Sequence, residues 1–168
     1  MATESVTKHK FQEDSQMTFE EVFDFAFKRM IPILQEAARE LGREQVYEAL
    51  RRAAAEFVRK AAGENARELP CNDFAAWNAW GSEPSYFGDH VLTRETVEDA
   101  PQAYEWRVTE CLWAKTFREM GAAEIGYCLI CHRDYAECQG FNPKITMIRS
   151  KTLMQGDDCC NHRFIWEG

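Results

Sequence analysis

With 168 residues, 45% of them hydrophobic, the chain is long enough to bury one real core and short for two independent domains. Its 20 Lys and Arg stand against 28 Asp and Glu, and the net charge of −8 repels phosphate backbones and anionic lipid, arguing against nucleic acid and membrane surfaces as partners. No window holds the roughly 20 uninterrupted apolar residues of a bilayer span, and the first ten residues lack the apolar stretch of a secretory signal, so a cytoplasmic protein is expected.

Residues 1–17 are polar and unpatterned and read as a flexible arm ahead of a single domain over residues 18–168. Thr18 followed by Glu21 has the spacing of a capping box, so a helix is expected to start there, with Val22, Phe23, Ala26 and Met30 at helical intervals. Pro32 lacks an N–H and clashes with the preceding turn, which predicts a restart near Ile31. Gly42 supplies a stop after Leu41, and a further helix from Arg43 to about Ala62, before Gly63, carries Val46, Leu50, Ala54, Phe57 and Ala61 on one face.

From Glu68 the texture changes. Asn72 or Asp73 caps a short helix carrying Phe74, Trp77 and Trp80, aromatic residues read as core, and Gly81, Pro84 and Gly88 mark irregular chain. Strands are expected over His90–Thr96 and Tyr104–Thr109, the second with Tyr104, Trp106 and Val108 alternating against polar neighbours. A helix over Cys111–Met120 ends at Gly121, and another spans Ala122 to about Gln139. Strands over Lys144–Arg149 and Asn161–Trp166 flank a turn at Gly156-Asp157-Asp158. The sum is an α+β domain: N-terminal helices packed on a small antiparallel sheet that a helical pair interrupts.

Six of the 7 cysteines fall in the last 58 residues, beside Asp134, Arg149, Thr152 and His162. An odd count without a secretion signal argues for free thiols in a reducing compartment. On a helix, Cys128, Cys131, Tyr135 and Cys138 would form one stripe with Asp134 on its flank. The run Cys128-Leu-Ile-Cys131 has CxxC spacing but falls within a helix, away from the N-terminal N–H groups that stabilise a redox thiolate. Cysteines plus His132 and His162 leave a zinc site open, although no second CxxC pair matches the first. Cys71, Cys138 and one of Cys159 and Cys160 read as ordinary buried cysteines.

Four motifs in order, Cys111-Leu-Trp-Ala114, Cys131-His-Arg-Asp134, Arg149-Ser-Lys-Thr152-Leu-Met-Gln-Gly156 and Cys160-Asn-His-Arg-Phe164, resemble the L-2-amino-thiazoline-4-carboxylic acid hydrolase family. The likeness extends loosely over residues 20–167. Members usually end in Cys-Asp-Phe-Arg-Phe, from which Asn161 and His162 depart. The glycine-aspartate turn before a cysteine-bearing strand is also similar to 4-vinyl reductase domains of the transport-particle fold, which bind small apolar ligands and sometimes zinc. In their zinc-bearing members a glutamate and a cysteine stand about where this chain has Arg149 and Thr152.

The resemblance implies hydrolytic opening of a small cyclic amidine or thiazoline carboxylic acid to an N-carbamoyl amino acid. It points to Cys131 or Cys160 as nucleophile, Asp134 as amidinium partner or proton carrier, and His162 as a base on the same strand face as Cys160. Arg149 would clamp a substrate carboxylate by a forked pair of hydrogen bonds, with Thr152 and Cys111 lining the substrate. No cofactor is required on this reading. The alternative is a non-catalytic, sensor-like binding domain with a zinc site, and a homo-oligomer is open on either.

Overall fold

Thr18 opens the first helix as its spacing predicts: its hydroxyl accepts from the Glu21 N–H at 3.2 Å and the Glu21 carboxylate accepts from the Thr18 N–H at 2.7 Å. The computed structural model describes residues 16–83 and 85–168, so residues 1–15 of the expected arm, and Pro84, lie outside the described residues. Helix α1 runs unbroken over Phe19–Leu41 with Pro32 inside it, and the expected restart at Ile31 does not occur. A proline within a helix costs about 3 kcal/mol. Ile31 is fully buried, however, and packs with Phe27, Met30 and Leu34 in a cluster around Phe117, each such side chain contributing roughly 1.5–3 kcal/mol. Tertiary packing outweighs the lost hydrogen bond, and Pro32 itself lies on the exposed side.

Gly42, at φ 95°, makes the corner into α2, Arg43–Glu68. This helix passes through Gly63, where a stop was expected. A Cβ at Gly63 would sit 3.2 Å from the Gly140 carbonyl oxygen, and one at Gly140 would sit 2.4 Å from that of Arg59, so both glycines serve the close approach of two helices. The buried stripe is Val46, Val58, Ala62 and Ala66; Phe57, placed on the inner face by periodicity, is 71% exposed.

Asp73 caps α3, Phe74–Ser82, by accepting from the Ala76 N–H at 2.9 Å. Trp77 is buried, with ring centroids 5.3 Å from Phe141 and 5.1 Å from Phe164, as the core reading requires. Where irregular chain and the start of a strand were expected, a short helix α4, Tyr86–Val91, forms. Ser85 nucleates it by accepting from the Gly88 N–H while the Asp89 carboxylate accepts from the Ser85 N–H, so the strand begins only at Leu92.

Strands β1 (Leu92–Ala100), β2 (Ala103–Cys111), β3 (Ile145–Ile148) and β4 (Cys160–Trp166) form one antiparallel sheet in the order β1-β2-β4-β3. Between β2 and β3 lie α5 (Leu112–Glu119), α6 (Ala123–Gly126), a π-helical turn (Tyr127–Cys131) and α7 (Asp134–Phe141). The single helix expected over 122–139 is therefore interrupted: the His132 N–H reaches back to the Tyr127 carbonyl at 2.8 Å, which adds a residue to the turn and breaks the cysteine stripe. The domain is α+β. Among the described residues no helix is long and apolar enough to cross a membrane.

Register puts Tyr104 opposite Phe164, Trp106 opposite His162 and Val108 opposite Cys160, on one sheet face. Two apolar clusters cover that face. One gathers Trp77, Tyr104, Cys138, Phe141 and Phe164 under α3 and α7; the other gathers Ile31, Ala114, Phe117, Cys131 and Met154 under α1, α5 and the π turn.

Candidate functional site

Between the two clusters sits a polar centre. Arg149, just past the end of β3, has 1% of its side chain exposed. Its Nη1 donates to Asp134 Oδ2 at 2.6 Å and lies 3.1 Å from His162 Nε2, and its Nη2 donates to the Cys131 carbonyl at 2.8 Å. Because a guanidinium only donates, His162 Nε2 must accept, which places the ring proton on Nδ1. Asp134 Oδ2 is also 3.4 Å from His162 Nε2. Tyr135 and Tyr127 lie 5.1 and 5.9 Å from the guanidinium carbon, and Trp106 meets the His162 ring edge to face at 6.0 Å.

Local chain chemistry explains this placement. Asp134 opens α7 and its side chain falls on the sheet side, while His132 and Arg133 break the helix ahead of it, so the Cys131 carbonyl is available to Arg149. Burial acts to lower the Arg149 pKa, but the Asp134 charge, helped by Cys131 and Tyr135, outweighs it and holds the guanidinium above its ordinary value. Two donors are nonetheless buried without a partner: Arg149 Nε and His162 Nδ1. An unmade bond of this kind costs about 1–3 kcal/mol, so an acceptor brought to either donor would be stabilised there.

Burial is the first cause that raises the pKa of three thiols grouped around this centre: Cys111 goes up to about 11, Cys131 further, and Cys160 also upward. Charges on Asp134 add to the rise and Arg149 opposes it at Cys131 and Cys160. The Cys111 sulfur accepts from the Ala114 N–H at 3.4 Å and the Cys160 sulfur from the Leu153 N–H at 3.2 Å. Burial therefore disfavours the thiolate form at all three positions. Cys160 and His162 share a strand face as parity requires, with no hydrogen bond between them among the described contacts.

Other sequence-derived positions fall elsewhere. Thr152 is buried, but its hydroxyl caps the short 3₁₀ turn Leu153–Gln155, accepting from the Gln155 N–H at 3.2 Å and donating to Oε1 of the same residue at 2.9 Å. Arg149 presents only Nε to a ligand as a bare donor, rather than a fork. Cys128 faces away from Cys131, its sulfur 3.6 Å from Arg51 Nη1, so the CxxC spacing does not make a pair. Cys71, expected to be buried, is exposed beyond the end of α2, in the connection between α2 and α3 whose residues 69–73 are all exposed; Cys138 and Cys159 are buried.

A zinc ion does not fit this donor set. The Arg149 guanidinium fills the space that Asp134, His162 and the Cys131 carbonyl surround, and among the described residues no three His, Cys, Asp or Glu side chains are grouped to hold a metal. A buried cation already occupies the position of charge.

Sequence reasoning missed Glu137. It lies one turn after Asp134 on α7, makes no hydrogen bond or ion pair among the described contacts, and has its pKa pushed up to about 7, chiefly by burial and then by the Asp134 charge, with Arg133 opposing. The Asp134-x-x-Glu137 spacing was the available signal. Cys111 has a further aspect, since it lines a surface cleft of about 830 Å³ between β1, β2 and α5 together with Leu153, Glu110, Lys115 and Arg118.

A four-stranded antiparallel sheet, helices on one face and a buried arginine–carboxylate–imidazole centre with two vacant donors define an α+β domain with a polar site enclosed between two cores. Its fold is similar to that in the crystal structure of the phenol-responsive sensory domain of the transcription activator PoxR with phenol, at a TM-score of 0.51 and 14% identity over 82% of this chain and 73% of that one. At that identity the likeness is one of fold. No curated protein matches the sequence. The chain belongs to the L-2-amino-thiazoline-4-carboxylic acid hydrolase family, whose model matches residues 16–164.

Proposed function

We propose that this protein hydrolyses the ring of a small cyclic amidine carboxylic acid of the 2-amino-thiazoline type, giving an N-carbamoyl amino acid. The observation that carries the reading is the pair of buried, unpartnered donors, Arg149 Nε and His162 Nδ1, beside a carboxylate. A substrate carboxylate supplies the acceptor those donors lack, and Asp134, whose Oδ1 makes no hydrogen bond among the described contacts, faces the amidinium. Water adds its oxygen to the amidine carbon, the carbon–sulfur bond breaks, and the two water protons end on the ring nitrogen and the departing sulfur. No electron transfer is involved. Water, rather than Cys131 or Cys160, is the nucleophile on this reading, because burial disfavours the thiolate at both.

The second reading, a binding domain without turnover, has the fold likeness to a phenol-responsive sensory domain in its favour. One assay separates the two. Purified protein is incubated with 2-amino-thiazoline-4-carboxylic acid while thiol release and product mass are followed. Turnover in the wild type that is lost in Arg149→Met supports hydrolysis, whereas calorimetric binding with no thiol released would leave only the binding domain.

A further inference from the structure

The surface cleft of about 830 Å³ and the polar centre share a wall. Cys111 and Leu153 line the cleft, and both also pack on the apolar cluster that holds Cys131. Tyr127 packs on the same cluster and lies 5.9 Å from the Arg149 guanidinium carbon, and the Cys131 carbonyl accepts from Arg149 Nη2 at 2.8 Å. The backbone of Leu153 is held from two sides. Its N–H donates to the buried Cys160 Sγ at 3.2 Å, two residues before His162 on β4, and its carbonyl accepts at 3.2 Å from Nη1 of Arg118, an exposed residue that also lines the cleft. Met154, next in the 3₁₀ turn, is buried over Gly126, where a Cβ would meet its sulfur at 2.6 Å. The turn is thus pinned by Met154, and the half-buried Leu153 side chain is the part of the wall that a rotamer change can move.

Arg118 makes no ion pair among the described contacts and spends one donor on a neutral carbonyl. A carboxylate arriving in the cleft is a charged acceptor, which a guanidinium binds more strongly and in a forked geometry. A second hollow of about 510 Å³, at the corner between α1 and α2, has no lining residue hydrogen-bonded to Arg149, His162 or Cys160 among the described contacts.

We propose that the cleft beside α5 is the entrance by which a small carboxylic acid reaches the Arg149–His162 centre, with Arg118 reading the carboxylate at the mouth and Leu153 as the partition that yields to it. This rests on the reading above in one respect, that the acid is held at Arg149 and His162, and needs no turnover. Once a carboxylate engages Arg118, the Leu153 carbonyl loses its donor and the side chain between the cleft and Cys160 is released. The acid then passes to the bare donors Arg149 Nε and His162 Nδ1, which bind it out of water. No covalent bond of the ligand changes in this passage.

Two measurements test it. Iodoacetamide labelling at pH 8, read by peptide mass spectrometry, compares Cys160 with Cys138, which is fully buried in the other apolar cluster. In Leu153→Ala, Cys160 is expected to react about 10-fold faster than in the wild type while Cys138 keeps its rate. Arg118→Gln, at an exposed side chain, should speed Cys160 by about 3-fold with the same selectivity. Cys160 reacting no faster in either variant, or faster only in step with Cys138, overturns the partition. Ring opening of 2-amino-thiazoline-4-carboxylic acid is then followed in Arg118→Gln, in Arg118→Lys and in Thr109→Trp, which plugs the cleft from an exposed strand position. Arg118→Gln and Thr109→Trp should each raise KM by about 10-fold with kcat little changed, and Arg118→Lys, which keeps the charge without the fork, should recover part of the loss. A wild-type KM in Thr109→Trp would send the acid past Asp134, whose side chain is 26% exposed, and overturns the entrance. If the wild type opens no ring, the hydrolase reading falls by itself, and the labelling still decides whether the cleft leads to Cys160.

Discussion

Arg149 makes three protein contacts from a side chain almost wholly out of water, so its charge depends on Asp134 for compensation. Removing one partner from such a pair costs about 3–5 kcal/mol because the other charge is left buried. Asp134 keeps 26% of its side chain exposed and can relax toward solvent, which argues for the lower end after Arg149→Met: a loss of about 3 kcal/mol, read from urea unfolding. Asp134→Leu strands the guanidinium instead, and the double variant should lose less than the sum of the singles, since it removes both charges. The cysteines allow a second check at the same scale. Cys71 is exposed, while Cys111, Cys128, Cys131, Cys138, Cys159 and Cys160 all have their pKa raised, first by burial. Iodoacetamide at pH 7.5 followed by peptide mass spectrometry should find Cys71 labelled well before the others, and equal labelling across the 7 cysteines would contradict the burial.

The elements meet most tightly where α2 and α7 cross. A Cβ on Gly140 would approach the Arg59 carbonyl oxygen to 2.4 Å, and both are backbone, so neither can swing aside. Gly140→Ala is therefore expected to cost about 1–3 kcal/mol and to lower Tm, because overpacking must push a helix. Gly63→Ala meets the Gly140 oxygen at a milder 3.2 Å and gains helix propensity of about 1 kcal/mol, so its Tm should change little. The same crossing shows what could be read beforehand. Local signals were legible: the Thr18–Glu21 box, the Asp73 cap, the Gly42 corner and the alternation in β2 are each decided by a few neighbouring residues. Signals that depend on distant packing were not. Gly63 and Pro32 look like helix ends until Gly140 and Phe117 are placed against their helices. The inserted residue in the π turn rotates everything after it, so a stripe drawn through Cys128, Cys131 and Cys138 ran together residues that face different clusters. That drift also hid Glu137, while Asp134, Arg149 and His162, carried by separate motifs, converge in the fold.

Across the whole molecule these groups make stability depend on pH in three windows with a sign that can be worked out. Glu21 and Glu98 have lowered pKa values, through hydrogen bonds from Thr18 and Arg163 respectively, and such carboxylates favour the folded state more as pH rises through the acid range. Glu137 does the opposite. Its carboxyl is raised from an ordinary 4.5 to about 7, so between these values the folded chain binds a proton that the unfolded chain has released. With more protons on the native side, unfolding free energy falls as pH rises, by on the order of 3 kcal/mol across the window at 1.36 kcal/mol per pKa unit. The buried thiols, all raised above their ordinary 9.0, act in the same direction from about pH 9 upward, where only the unfolded chain ionises. Stability should therefore peak near pH 5, decline to about pH 7, hold, and decline again above 9. Glu137→Gln removes the first decline and leaves the second, so urea unfolding of the two proteins should agree near pH 4.5 and separate by pH 8, with the variant the more stable. Parallel curves for the two proteins across that range would mean that the α7 carboxyl ionises in the folded chain as freely as it does in water.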